Sequence, residues 1–156
     1  MDWMLFVLFF ATCCAAASTG AMFMPDQWYR DIAKPSWTPP DWVFPVTWTV
    51  LYIAIAVSAA RVAPLVGSAY AMGFWALQMV LNTLWSPVFF GLHKIKAAAY
   101  VVVSLWLAVF GAMVSLWQMD MIAGLLFVPY LIWVSIAAAL NLTIWKLNPE
   151  EAAEAA

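Results

Sequence analysis

Residues 97–145 read AAAYVVVSLWLAVFGAMVSLWQMDMIAGLLFVPYLIWVSIAAALNLTIW, two apolar runs (97–117 and 121–145) that carry a single charge, Asp120, between them. Each run reaches the about 20 residues that a helix needs to cross the hydrocarbon core of a bilayer. Hydrocarbon has no partner for a free backbone N–H or C=O, so such spans must be helical. A link as short as 118–120 makes the two helices antiparallel neighbours.

The same pattern extends upstream, with apolar segments at about 3–24, 44–62 and 68–90 and short links at 63–67 and 91–96. Only the first loop, 25–43, is long. The reading is an all-α fold: an integral membrane bundle of five transmembrane helices, forming one domain over residues 1–156. The start, MDWMLFVLFFATCCAAAS, ends in small residues like a signal peptide. It carries Asp2 and no Lys or Arg, so it is read as a retained first helix. The acidic tail EEAAEAA is expected to fray.

Composition agrees: 67% of the 156 residues are hydrophobic and 9% charged, with mean hydropathy +0.93, whereas soluble domains carry about 25% charged residues. The six basic residues are scattered and the formal net charge is −2, which excludes a basic stripe for nucleic acid. Cys13 and Cys14 are adjacent and match no zinc, redox or disulfide spacing. Arg30, Lys34, Lys94, Lys96 and Lys146 fall on one side of a five-span topology and Arg61 alone on the other. The N-terminus is therefore expected outside and the C-terminus inside. No span has an Asp, Glu, Lys or Arg at its middle, which argues against proton pumps and ion-coupled carriers.

The chain has eleven tryptophans. Trp3, Trp42, Trp117 and Trp145 lie at span ends, where indole suits the bilayer interface. Trp75, Trp106 and Trp133 lie near mid-span and need another explanation. Gln78 and Asn82 share a helix face that Trp85 and Phe89 continue. Such amides either bond a neighbouring helix or meet a ligand in a cavity. Antiparallel packing brings Trp48 and Tyr52, Asn82 and Trp85, and Trp133 with Ala137 and Asn141 into the same half of the bilayer, beneath the long loop. Aromatic walls with a few amides suit a large, flat, lipophilic ligand.

These residues resemble the translocator protein family, also called the tryptophan-rich sensory proteins or peripheral benzodiazepine receptor family, of bacterial type. The motifs are Trp28-Tyr29, Lys34-Pro35-x-Trp37-x-Pro39-Pro40 and Trp48-Thr49-x-Leu51-Tyr52. Gln78-x3-Asn82-x2-Trp85-Ser86-Pro87-x-Phe89-Phe90 follows, then Pro129-Tyr130-Leu131-x-Trp133 with Leu140-Asn141. The resemblance implies a five-helix bundle, usually a homodimer, that binds protoporphyrin IX, haem and other lipophilic small molecules within membrane lipid. It implies regulation of tetrapyrrole metabolism and light- and oxygen-dependent porphyrin breakdown. Trp48 and Trp133 match the tryptophans implicated in that breakdown. Trp28, Tyr29, Trp37, Tyr52, Asn82, Trp85 and Ala137 match pocket positions, to which the helix-face reading adds Gln78, Phe89 and Asn141. A bacterial membrane is expected rather than the mitochondrial outer membrane.

The sterol-recognition stretch of animal members needs a Tyr where residues 140–146 read LNLTIWK. No metal site is expected, and His93 reads as a solvated interfacial residue. No acid–base pair or activated nucleophile is visible, so any activity belongs to the bound pigment. A carrier of porphyrins or cholesterol-like lipophiles, and a ligand-responsive receptor or scaffold, are the alternatives. Ala69 and Gly73 offer a small-residue dimer face on the third span. The prolines of residues 34–45 are expected to stiffen the long loop into a lid carrying Trp37.

Overall fold

A computed structural model describes residues 2–154 as helices and connecting turns, with no strand among the described residues. The elements are α1 (Trp3–Met22), α2 (Gln27–Asp31), α3 (Val43–Val62), α4 (Ala69–Ser86), a π-helical turn (Pro87–Gly91), α5 (Ile95–Met119), α6 (Met121–Leu147) and α7 (Pro149–Glu154). The tail expected to fray is helical as far as Glu154.

Four of these, α1, α3, α5 and α6, are long and apolar enough to cross a membrane by length and composition. α4 falls short of that standard, where the sequence led us to expect a fifth span over 68–90. The reason lies in its residues. Gln78 and Asn82 interrupt the apolar run, and Pro87 ends the regular helix at Ser86. Proline lacks the N–H that would bond the carbonyl four residues back, here Thr83. The chain continues as the π-helical turn, and the Thr19 hydroxyl of α1 approaches the Thr83 carbonyl at 3.4 Å.

The five long helices close into a ring in which α1 packs on α3, α3 on α6, α6 on α5, α5 on α4, and α4 on α1. Small residues at the contacts, among them Ala56, Ala59, Ala98, Ala112 and Ala123, let the helices approach closely. α1 is the least enclosed, burying only Cys13 and Ala16.

One end of the ring is tightly built. Asp120 alone joins α5 to α6 and caps the latter, accepting from the N–H groups of Ile122 at 2.9 Å and Ala123 at 3.0 Å. It also accepts from Arg61 Nε and Nη2 at 3.0 and 2.7 Å. Burial works against the Asp120 charge, but the Arg61 guanidinium and the two N–H groups outweigh it and hold the carboxyl below its ordinary range. Gly124 lets α6 turn this sharply. A Cβ there would lie 2.6 Å from the Trp117 backbone.

The opposite end gathers the long loop, the third loop and the C-terminus. Asn148 accepts from Ala33 N and donates to Ala33 O, both at 2.9 Å. Trp28 Nε1 donates to Glu151 at 3.1 Å, and Asp26 pairs with His93 at 3.0 Å.

Candidate functional site

A cavity of about 90 Å³ lies in the half of the ring nearest the long loop, and all five long helices line it. α3 supplies Phe44, Trp48 and Tyr52, α4 supplies Asn82 and Trp85, and α6 supplies Trp133 and Ala137. α5 adds Val102 and Leu105, and α1 contributes only small residues, Ala16, Ala17, Thr19 and Gly20. Trp48 stacks on Tyr52 one helical turn on, at 5.3 Å between centroids. Phe44 meets Trp133 edge-on at 5.4 Å. The walls are thus flat, aromatic and apolar.

The indoles differ in what their N–H groups do. Trp85 donates to Asn141 Oδ1 at 3.1 Å, and Asn141 donates in turn to the Ile95 carbonyl at 3.1 Å, which fixes the Trp85 ring over Phe89. Trp75 donates to the Ile55 carbonyl and Trp106 to Ser135. Among the described residues, no such bond is made by the N–H of Trp48 or Trp133. Both residues line the cavity.

Behind the aromatic wall runs a buried hydrogen-bonded chain. Tyr52 Oη donates to Asn82 Oδ1 at 2.7 Å, Asn82 Nδ2 to Tyr130 Oη at 3.0 Å, and Tyr130 Oη to Gln78 Oε1 at 2.8 Å. Gln78 Nε2 is buried without a partner among the described residues, a defect that costs about 1–3 kcal/mol. Gln78 and Asn82 therefore do bond across helices, while Asn82 also faces the cavity.

The structure brings Trp48, Tyr52, Asn82, Trp85, Trp133 and Ala137 to the cavity, and places the other expected residues elsewhere. Gln78 lies behind the wall. Phe89, Asn141 and Tyr29 enclose a smaller void next to Trp85, where burial pushes the Tyr29 hydroxyl up to about 12. Trp28 lies flat against His93 at 4.2 Å and edge-on to Phe89. His93, expected to be solvated, is held there in a left-handed conformation (φ 56°). A hydrogen bond from Tyr29 N–H, and then the His93 contact, hold the Asp26 carboxyl below its ordinary range.

Trp37 does not cover the cavity. It is 48% exposed and flanks the outer face of α6 beside Ile132 and Ile136. Pro35 and Thr38 close a turn, with Thr38 N donating to the Pro35 carbonyl at 3.1 Å, and Pro39-Pro40 then holds the chain extended. This local geometry carries Trp37 sideways, while Tyr29 is buried against the smaller void next to Trp85. The Lys34 ammonium fixes that region by donating to the carbonyls of Tyr29, Arg30 and Ile32 at the end of α2.

Sequence reasoning missed Tyr130, Phe44, the α5 residues Val102 and Leu105, and the small residues of α1. Tyr130 lies three residues before Trp133 and so shares its face, a signal that could have found it. Phe44 sits one turn before Trp48. The small residues of α1 gave no chemical signal at all. Among the described residues, no group of His, Cys, Asp or Glu side chains could hold a metal ion.

The model of the TspO/MBR family matches residues 6–146, which includes every helix that lines the cavity. The chain belongs to the TspO/MBR family. It is 48% identical over 155 residues to protein CrtK of Rhodobacter capsulatus, covering 97% of both chains. It is 50% identical over 148 residues to a tryptophan-rich sensory protein of Cereibacter sphaeroides, covering 95% of this chain and 94% of that one. It is 31% identical over 127 residues to the human translocator protein, covering 78% of this chain and 75% of that one. Family membership and the apolar helices make this an integral membrane protein of bacterial type.

Proposed function

We propose that this TspO/MBR protein binds a flat lipophilic ligand, a tetrapyrrole such as protoporphyrin IX or haem, in the cavity between Trp48, Trp85 and Trp133. The observation that carries this reading is the pair of indoles, Trp48 and Trp133, that line the cavity with N–H groups unspent on the protein. Bound pigment, light and molecular oxygen supply any oxidative chemistry. The chain orients the ligand, excludes water and places these two indoles against it.

The cavity is smaller than the about 300–1,000 Å³ of ordinary ligand sites, so a macrocycle must displace a wall. α1 is the wall suited to move, since it presents only small residues and is the least enclosed helix. That same feature favours a second reading, a carrier that exchanges lipophiles with the bilayer. Porphyrin flux into sealed vesicles, compared with protein-free vesicles, separates the carrier from a simple binder.

The proposed assembly has five spans, with α4 and the π-helical turn completing the fifth inside the ring, where Gln78 and Asn82 are bonded rather than lipid-facing. The end bearing Arg30, Lys34, Lys94, Lys96 and Lys146 lies inside the cell. Ala69 and Gly73 offer a homodimer contact.

Titration of protoporphyrin IX followed by tryptophan quenching, in light and in darkness, tests the reading. Saturable quenching, with light-dependent decay slowed in Trp48→Phe/Trp133→Phe, supports it. Decay as fast in the double variant as in wild type removes the role of the indoles, and the lack of any quenching sinks the ligand class.

A further inference from the structure

The aromatic walls suit a flat lipophile but give no role to the polar chain behind them. That chain has a sense. Tyr52 donates to Asn82, Asn82 to Tyr130 and Tyr130 to Gln78, and it ends on Gln78 Nε2 with nothing to donate to. Tyr52 and Asn82 line the cavity; Tyr130 and Gln78 do not. In this sense the Tyr52 hydroxyl hydrogen is spent on Asn82, and the Tyr52 oxygen shows the cavity only lone pairs.

The same heavy atoms support the opposite sense. Turning over both amides and rotating both hydroxyls makes Gln78 donate to Tyr130, Tyr130 to Asn82 and Asn82 to Tyr52, at the same separations. Gln78 Nε2 then has an acceptor for one of its two N–H groups, and the Gln78 carbonyl oxygen is left unpaired instead, so the two senses make the same number of bonds at depth. The hydrogen released is that of Tyr52, at the cavity. A ligand oxygen that accepts it completes the reversed chain.

We propose that Gln78 and Tyr130, from outside the cavity, set its hydrogen-bonding sense, and that the ligand it selects carries a carbonyl or carboxyl oxygen that accepts from Tyr52. This rests on the reading that the cavity holds a ligand, and it names the feature of that ligand which is recognised. Gln78 acts as a brake. While its carbonyl accepts from Tyr130, the resting sense is held, and the ligand must turn the chain to bind. Tyr130 and Gln78 are positioning residues, and Tyr52 is the group in contact.

The test uses the full-length protein in detergent and two small ring probes, cyclohexanone and methylenecyclohexane, which differ in an oxygen replacing a CH₂ group. Tryptophan emission reports binding of each. In Tyr52→Phe the ratio of ketone to hydrocarbon affinity is expected to fall about three- to tenfold. In Gln78→Leu it is expected to rise by about the same factor, because Tyr130 then has only Asn82 to donate to and the chain rests in the reversed sense. A merely structural role for Gln78 would weaken both probes together.

A ratio in Gln78→Leu equal to or below that of wild type overturns the proposal, as does failure of either probe to bind wild type. Should Gln78→Leu not fold, Gln78→Met is measured in its place, and the infrared C=O band of bound cyclohexanone gives a second readout on wild type. A band shifted to lower frequency and restored in Tyr52→Phe supports the proposal; an unshifted band sinks it. Porphyrin titration alongside separates the two readings. Ketone discrimination without porphyrin binding removes the tetrapyrrole and leaves the chain, whereas porphyrin binding with an unmoved ratio does the reverse.

Discussion

The two ends of the ring use the same helices for opposite purposes. At the Asp120 end, α5 and α6 are joined by one residue, Gly124 seats against Trp117, and Arg61 closes the turn. At the loop end, the walls are tryptophans and tyrosines that leave a void, and the covering segment is held from outside by Asn148, Glu151 and His93. The difference teaches that close packing with small residues fixes the bundle, while large rings that cannot interdigitate completely leave room for a guest. A substitution that destabilises one end should therefore leave the other's chemistry legible, and the predictions test that separation.

The largest effect is expected from Gly124→Val. Its new side chain meets the backbone of Trp117, which cannot rotate away, so a loss of about 3 kcal/mol is expected, measured as a drop in thermal midpoint in detergent. Asp120→Ala comes next, removing a helix cap and the Arg61 pair for a loss of about 1–3 kcal/mol. The same carboxyl predicts a pH dependence. Its folded value lies below the ordinary 3.8, so its stabilisation is fully present above that pH and is lost as pH falls through the folded value. Acid melts should show wild type converging on Asp120→Ala below about pH 4.

Asn148→Ala removes both side-chain bonds to Ala33 and is expected to cost about 1 kcal/mol, while faster proteolysis within residues 25–43 reports release of the loop. Ala137→Leu grows into the cavity and is expected to alter stability by less than about 1 kcal/mol, yet to abolish porphyrin quenching. Trp37→Ala should be the mildest, within about 0.5 kcal/mol and without effect on quenching, because its ring lies outside the cavity. A loss of quenching in Trp37→Ala would put the loop back over the site.

Much of this contrast was legible in the sequence, because span length and antiparallel order are fixed by hydrocarbon thickness and link length. Those two constraints sufficed to bring Trp48, Tyr52, Asn82, Trp85 and Trp133 into one half of the bundle. The direction of the loop was not legible. Four prolines announce stiffness, but only the turn at Pro35–Thr38 decides that Trp37 goes to the flank and Tyr29 inward. The α1 wall was also invisible, since Ala16, Ala17 and Gly20 matter by what they lack. The π-helical turn escaped notice because Pro87 signals a break without saying what geometry replaces it.

The one-residue join at Asp120 also bears on how the chain enters a membrane. Two helices with no loop between them cannot be threaded separately, so α5 and α6 must insert together as a hairpin. The apex of that hairpin holds a single carboxylate, whose passage through the bilayer centre would cost about 3 kcal/mol, set against two long apolar helices. In the folded ring Arg61 of α3 pairs with that carboxylate at 2.7 Å, so the charge at the apex is matched where the hairpin meets its neighbour.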